Sequence, residues 1–264
     1  MRIALAIEYA GDAFCGWQSQ LSSCSVQDAL EQALGSIAAQ RVATAAAGRT
    51  DAGVHAASQI VHFDADADRP PSAWVRGVNA LLPKAAAILW AQPVAADFHA
   101  RFAATARHYT YLLLARSERP ALLAKRVGWY HASLDLAAMR AGAAHLAGTH
   151  DFSAFRAAEC QAKSPVKSLA RIAIDAQGSL IRFDFSADAF LHHMLRNIVG
   201  SLVYVGSGRH PPEWIAQLLS ARDRTRAAPT FAPDGLYLVG ADYPSRFGLP
   251  GTRGEVVLAI HEPD

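Results

Sequence analysis

Hydrophobic positions at the start of the chain alternate: Ile3, Leu5, Ile7 and Tyr9 share one side of Arg2–Tyr9, the two-residue period of a half-buried strand. The period then changes. Ser25 offers an N-cap with Asp28 three residues on, and Val26, Ala29, Leu30, Ala33, Leu34 and Ile37 follow at helical spacing. Two short strands are predicted at Arg41–Ala46 and Gln59–Phe63, separated by the glycine-bearing stretch Gly48–His55. Ser72 is placed to cap a helix carrying Trp74, Val75, Val78, Leu81 and Leu82, closed by Pro83, and Ile88–Val94 returns as a strand. The order is β-α-β-β-α-β.

The second half repeats that order. Arg107–Leu114 reads as a strand with Tyr109, Tyr111 and Leu113 on one side, and Asp135–Leu146 as a helix ended near Gly148. Strands Leu169–Asp175 and Leu180–Phe185 are joined by a Gln-Gly turn. Ala189–Val205 is the longest predicted helix, Pro212–Ala221 adds another, and Gly235–Val239 closes the set. The pattern predicts an α+β fold of two split-βαβ, ferredoxin-like halves, residues 1–97 and 98–264. Joined edge to edge, they would form a continuous antiparallel sheet with helices on one face and a cleft, long enough for folded RNA, on the other.

Composition adds boundaries more than direction. Of 264 residues, 52% are apolar and 18% charged, which suits a packed globular chain and not a disordered one. A net charge of +2 permits a nucleic-acid partner without pointing to one. Arginines that recur near aromatics and glycines would make a basic surface only if the fold gathers them. The three cysteines, Cys15, Cys24 and Cys160, include no close pair, so neither a disulfide framework nor a cysteine zinc site is expected. The start turns acidic within eight residues, unlike a signal peptide, and no apolar run reaches the ~18 residues of a membrane span. The expectation is a cytoplasmic protein with no membrane contact.

The stretch richest in chemistry is Gly48-Arg49-Thr50-Asp51-Ala52-Gly53-Val54-His55-Ala56. Its glycines allow tight turns and close approach to a ligand. Arg49 and Asp51, two residues apart, can point into one cavity, where the cation holds the carboxylate ionised. A surface turn with an ion pair worth ~1 kcal/mol or less satisfies the same residues. The motif, however, resembles the signature of the tRNA pseudouridine synthase A family. Further matching segments stand in that family's order: Gly16-Trp17-Gln18, Val26-Gln27, Gly77-Val78-Asn79 with Leu82-Pro83, and Phe98-His99-Ala100-Arg101-Phe102. They continue with Asp151-Phe152, Phe155-Arg156, His192-His193-Met194-Leu195-Arg196-Asn197-Ile198-Val199-Gly200 and Gly235-Leu236-Tyr237-Leu238.

The resemblance implies isomerisation of uridine to pseudouridine in the tRNA anticodon stem-loop, at three positions on its 3′ side. It needs no cofactor and no metal, and it implies a homodimer. Asp51 becomes the catalytic carboxylate, attacking or assisting at the target nucleotide. Tyr109 matches the tyrosine set against the target base, and Arg196 the basic residue that meets the aspartate. Arg49, beside Asp51, would hold the flipped nucleotide, and Leu238 would wall the base pocket, although core packing accounts for Leu238 equally. Arg101, Arg107, Arg156 and Arg224 are candidates for the RNA backbone, where they would set affinity and not base choice. Two departures stand out. Tyr9-Ala10-Gly11-Asp12 lacks the aspartate usual before the glycine, and the tail after Phe247 matches nothing in the pattern.

Other chemistries fit less well. Eleven histidines, with His192-His193 expected on a helix, invite a metal, but adjacent helical residues diverge by ~100° and no H-x-x-x-H with an acidic partner occurs. A glycoside hydrolase needs a second positioned acid. The serious rival is a non-catalytic tRNA-binding or folding module, which would tolerate loss of Asp51.

Overall fold

The computed structural model describes residues 1–256. Among the described residues the chain divides into two compact units, Met1–His108 together with 237–256, and Tyr109–Leu236. Both are α+β, with mostly antiparallel strand pairing.

In the first unit β1 (Arg2–Tyr9) is central, paired antiparallel with β3 (His55–Asp64) on one side and β4 (Ala86–Pro93) on the other. The free edge of β3 is shared. Its second half takes the short β2 (Thr44–Ala46) antiparallel, while His55 and Ala56 pair in parallel with Tyr237 and Leu238 of β10 (Leu236–Asp242). Helix α1 (Val26–Ala38) starts on the capping box that the sequence predicts: Ser25 Oγ accepts from the Asp28 amide at 3.1 Å, and Asp28 accepts from the Ser25 amide. Ser72 makes no such bond; a wide-turned segment, Ala73–Gly77, leads directly into α2 (Val78–Leu81).

The alternation of β1 understates its burial. Ala4 and Ala6, on the side read as polar, are as buried as Ile3, Leu5 and Ile7. Their side of the strand is covered by Phe98, Ala100, Ala241 and Phe247. Alanine side chains are small enough to let those rings approach, and an alanine-rich stretch is ambiguous to any periodicity argument for the same reason. The tail after Phe247 also packs in this unit: Gly254 N–H donates to the Val239 carbonyl, Trp90 Nε1 to Gly251, and Arg253 pairs with Asp242.

The second unit orders its strands β5 (Ala106–Ala115, which enters the unit at Tyr109), β9 (Leu180–Ala187), β8 (Val166–Gln177) and β7 (Gly148–Asp151), with β6 (Gly128–Tyr130) parallel to β5. Helices α3 (Leu136–Ala144), α4 (Met194–Gly206) and α5 (Trp214–Ala221) pack together. The alternation had not marked β6 and β7, which are too short to show a period. Helix α4 begins five residues later than its apolar spacing predicts. His193 lies in the left-handed region at φ 61°, and the His192 carbonyl accepts from the Ala157 amide at 3.0 Å instead of from a helical turn. His192 and His193 therefore precede the helix and do not lie on it.

Cys15 and Cys24 form a disulfide, contrary to the expectation that the cysteines do not pair into a disulfide framework. Nine residues apart in sequence, they meet because the intervening loop doubles back, with the Cys15 amide donating to the Cys24 carbonyl at 3.0 Å. No helix among the described residues is long and apolar enough to cross a membrane.

Candidate active site

The Gly48–His55 loop is held through its backbone and its buried Thr50, Val54 and His55 side chains. Thr50 is buried, and its hydroxyl lies 2.7 Å from the buried Tyr9 hydroxyl. The Thr50 carbonyl accepts from the Trp17 amide at 2.9 Å. At the start of the loop the Gln59 carboxamide, wholly buried, donates to the Gly48 carbonyl at 2.6 Å. A turn closes the middle, with the Val54 amide donating to the Asp51 carbonyl at 3.1 Å. Of the neighbours of the buried Thr50, Arg49 is exposed and Asp51 half-buried. A carboxylate on a backbone fixed at both sides has little conformational freedom left to lose when a ligand arrives.

Two glycines outside the motif make this packing possible. Gly11 lies so close to the Val54 carbonyl that an added Cβ would overlap that oxygen; its carbonyl accepts from the Gly53 amide at 3.3 Å and its amide donates to His55 Nδ1 at 3.0 Å. Gly16 has φ +96°, and a Cβ there would sit 2.9 Å from the Thr50 carbonyl oxygen. The role of Gly11 was not legible in the sequence. The departure in Tyr9-Ala10-Gly11-Asp12 draws the eye to the missing acid, whereas the loop depends on the glycine that remains.

His55 ends the motif inside the fold. It is buried, it accepts through Nδ1, which places its ring hydrogen on Nε2, and it stacks on Tyr237 at 4.6 Å. Leu238, paired with Ala56, is 1% exposed. Arg107 reaches the same loop from β5: its guanidinium donates to the carbonyls of Ala47, Ala104 and Arg101. Arg101 itself is exposed.

The remaining predicted residues lie in the second unit. Tyr109 is buried with its ring edge-on to Phe190 at 5.2 Å. Tyr111, on the same side of β5, is fully buried and donates its hydroxyl to the Ala232 carbonyl at 2.8 Å, and burial pushes its phenol well above the ordinary range. Both tyrosines are buried, Tyr111 the more deeply. Arg196 sits in the first turn of α4, not along its middle, half-buried, with Nε donating to the Phe231 carbonyl at 2.8 Å. Asn197, the next residue, is fully buried. Its Nδ2 donates to the Phe155 carbonyl, and its Oδ1 accepts from Arg224 at 3.0 Å and from Thr230 at 2.7 Å. Arg224 also bonds the Ala228 carbonyl, and burial lowers its affinity for its proton. Arg156 bonds the carbonyls of Cys160 and Ala162. The four arginines considered for the RNA backbone, taken with Arg49, therefore fall into two groups. Arg49 and Arg101 face solvent, while Arg107, Arg156 and Arg224 brace the chain's own carbonyls.

A family model described as tRNA pseudouridine synthase matches residues 5–103 and 143–244. A relative from Chromobacterium violaceum, named tRNA pseudouridine synthase A, is 64% identical over 251 residues, covering 95% of this chain and 96% of its own. Proteins of the same name from Dechloromonas aromatica and Methylobacillus flagellatus are 59% and 56% identical, covering 95% and 98% of this chain and 95% and 100% of theirs. The matched segments contain the whole of the Gly48–His55 loop.

Proposed function

Because the chain belongs to the tRNA pseudouridine synthase family, we propose that it isomerises uridine to pseudouridine in tRNA with Asp51 as the catalytic carboxylate. The observation that carries this reading is the loop itself. Tyr9, Trp17, Gln59 and Gly11 hold it from several sides, with Asp51 half-buried and Arg49 exposed on it. In the proposed reaction the bond between uracil N1 and ribose C1′ breaks and the base turns in place. C5 then bonds to C1′, the C5 proton leaves, and N1 takes up a proton. The uridine must leave its stack first, at a cost of a few kcal/mol. Stacking of the flipped base on Tyr109 would return ~1–3 kcal/mol. Arg49, Arg196 and Leu238 complete the proposed nucleotide-binding set. The substrate region is the anticodon stem-loop, and the protein acts as a cytoplasmic homodimer.

Ferredoxin-like halves fit this reading: in the first unit β4, β1, β3 and β2 pair antiparallel in that order, with β10 alongside β3 in parallel, and the second has β5-β9-β8. Tritium release from tRNA labelled at uridine C5 tests the function. Wild type should release tritium and Asp51→Ala should not, while both bind tRNA. Equal release by both proteins would remove Asp51 from the chemistry. Binding with no release by either would leave a tRNA-binding module.

A further inference from the structure

Phe102 is 75% exposed, an unusual position for a phenylalanine, and the ring does not stand alone. Its inner neighbour is His99, centroid to centroid 4.3 Å with the planes 35° apart, and behind His99 lies the buried His62 at 4.6 Å. The three rings step outward from the core to solvent. The turn beneath them is fixed by its own side chain, since His99 Nδ1 accepts from the amides of both Arg101 and Phe102 at 3.2 and 3.4 Å. The exposed Arg101 guanidinium stands 5.6 Å from the Phe102 ring. The same turn is tied to the catalytic loop: one guanidinium, Arg107, donates to the Arg101 carbonyl and to the carbonyl of Ala47, immediately before Gly48.

We propose that Phe102 is a base-stacking platform for the RNA substrate, taking an unpaired base of the same tRNA while Arg101 meets its backbone. The reading rests on tRNA being the substrate. A rigid aromatic face with an adjacent guanidinium is what sequence-tolerant recognition of an unstacked base requires, because every base offers a π-face. An aromatic edge this exposed gains nothing for the folded monomer, whereas its support by His99 and His62 orders it before the ligand arrives.

The test compares Phe102→Ala, Phe102→Leu and Phe102→Trp with wild type, using unmodified tRNA, by tritium release and by binding anisotropy. Loss of one stacked base should raise Kd and KM roughly 5- to 100-fold in Phe102→Ala, with kcat changed far less. Phe102→Leu should fail to restore binding, and Phe102→Trp should restore it and show added fluorescence quenching when tRNA binds. Unchanged Kd in Phe102→Ala, or full binding by Phe102→Leu, would overturn the proposal. So would dissociation of an oligomer by Phe102→Ala in light scattering, which would assign the ring to a contact between copies of this chain. If wild type releases no tritium, the reaction fails while anisotropy and quenching still decide the platform.

Discussion

Removing one oxygen atom, in Tyr9→Phe, should separate holding the loop from folding the unit. The Tyr9 hydroxyl lies 2.7 Å from Thr50 Oγ1, both residues are buried, and burial pushes the Tyr9 phenol above the ordinary range, so it stays a neutral hydrogen-bonding group at any working pH. The substitution keeps the ring and its contact with Trp17, 6.1 Å between centroids, and strips the Thr50 hydroxyl of a buried partner. A net buried hydrogen bond is worth ~1 kcal/mol, and stranding a polar atom adds to that, so a loss of ~1–2 kcal/mol is expected by urea unfolding. Asp51 follows Thr50 directly, so a loosened Thr50 should lower kcat for tritium release about tenfold with little change in KM. Thr50→Val removes the other partner. In a double-mutant cycle the two changes should couple by ~1 kcal/mol in stability and be non-additive in kcat. Additive effects, or a Tyr9→Phe enzyme with full stability and full kcat, would refute the claim that this bond positions the loop.

Other outcomes follow from single contacts. Gly11→Ala forces a methyl into the Val54 carbonyl, a backbone atom that cannot rotate away, and should cost ~1–3 kcal/mol in unfolding and lower kcat more than the Tyr9 change. Asn197→Ala empties a fully buried site with three partners and should lower stability by ~2–4 kcal/mol, read as a fall in Tm, without involving the loop. His62 is held neutral, its pKa depressed from 6.5 to about 4 by burial and by the neighbouring His99 and Arg2, with only Asp64 opposing among the charged groups acting on it. A histidine whose folded pKa is depressed contributes stability above 6.5 and loses it as pH falls toward 4. Up to roughly 3 kcal/mol should therefore disappear across that window, and His62→Asn should flatten the profile. Reducing Cys15–Cys24 should cost ~2–3 kcal/mol by the loop-closure argument, seen as a Tm drop with dithiothreitol that Cys15→Ser/Cys24→Ser no longer shows.

The α+β character, the place of β1, the capped start of α1 and the identity of the motif around Asp51 are legible in the amino-acid sequence. Each of these is written in consecutive residues: a two-residue period, a Ser-x-x-Asp box, a run of glycines around charged groups. The features that sequence leaves open depend on residues far apart in the chain. Burial of Ala4 and Ala6 needs Phe98 and Phe247, and the late start of α4 needs the Ala157 amide to claim the His192 carbonyl. The sorting of the arginines needs their partners. Arg101 and Arg107 look alike in sequence, yet one is exposed and the other is bound to three backbone carbonyls. Gly11 is the clearest case. A glycine before an ordinary turn carries no signal of its own, and its importance appears only when Val54 is brought against it. Local periodicity and motifs report what a residue can do, whereas close packing and hydrogen-bond pairing across the fold decide what remains free to do it.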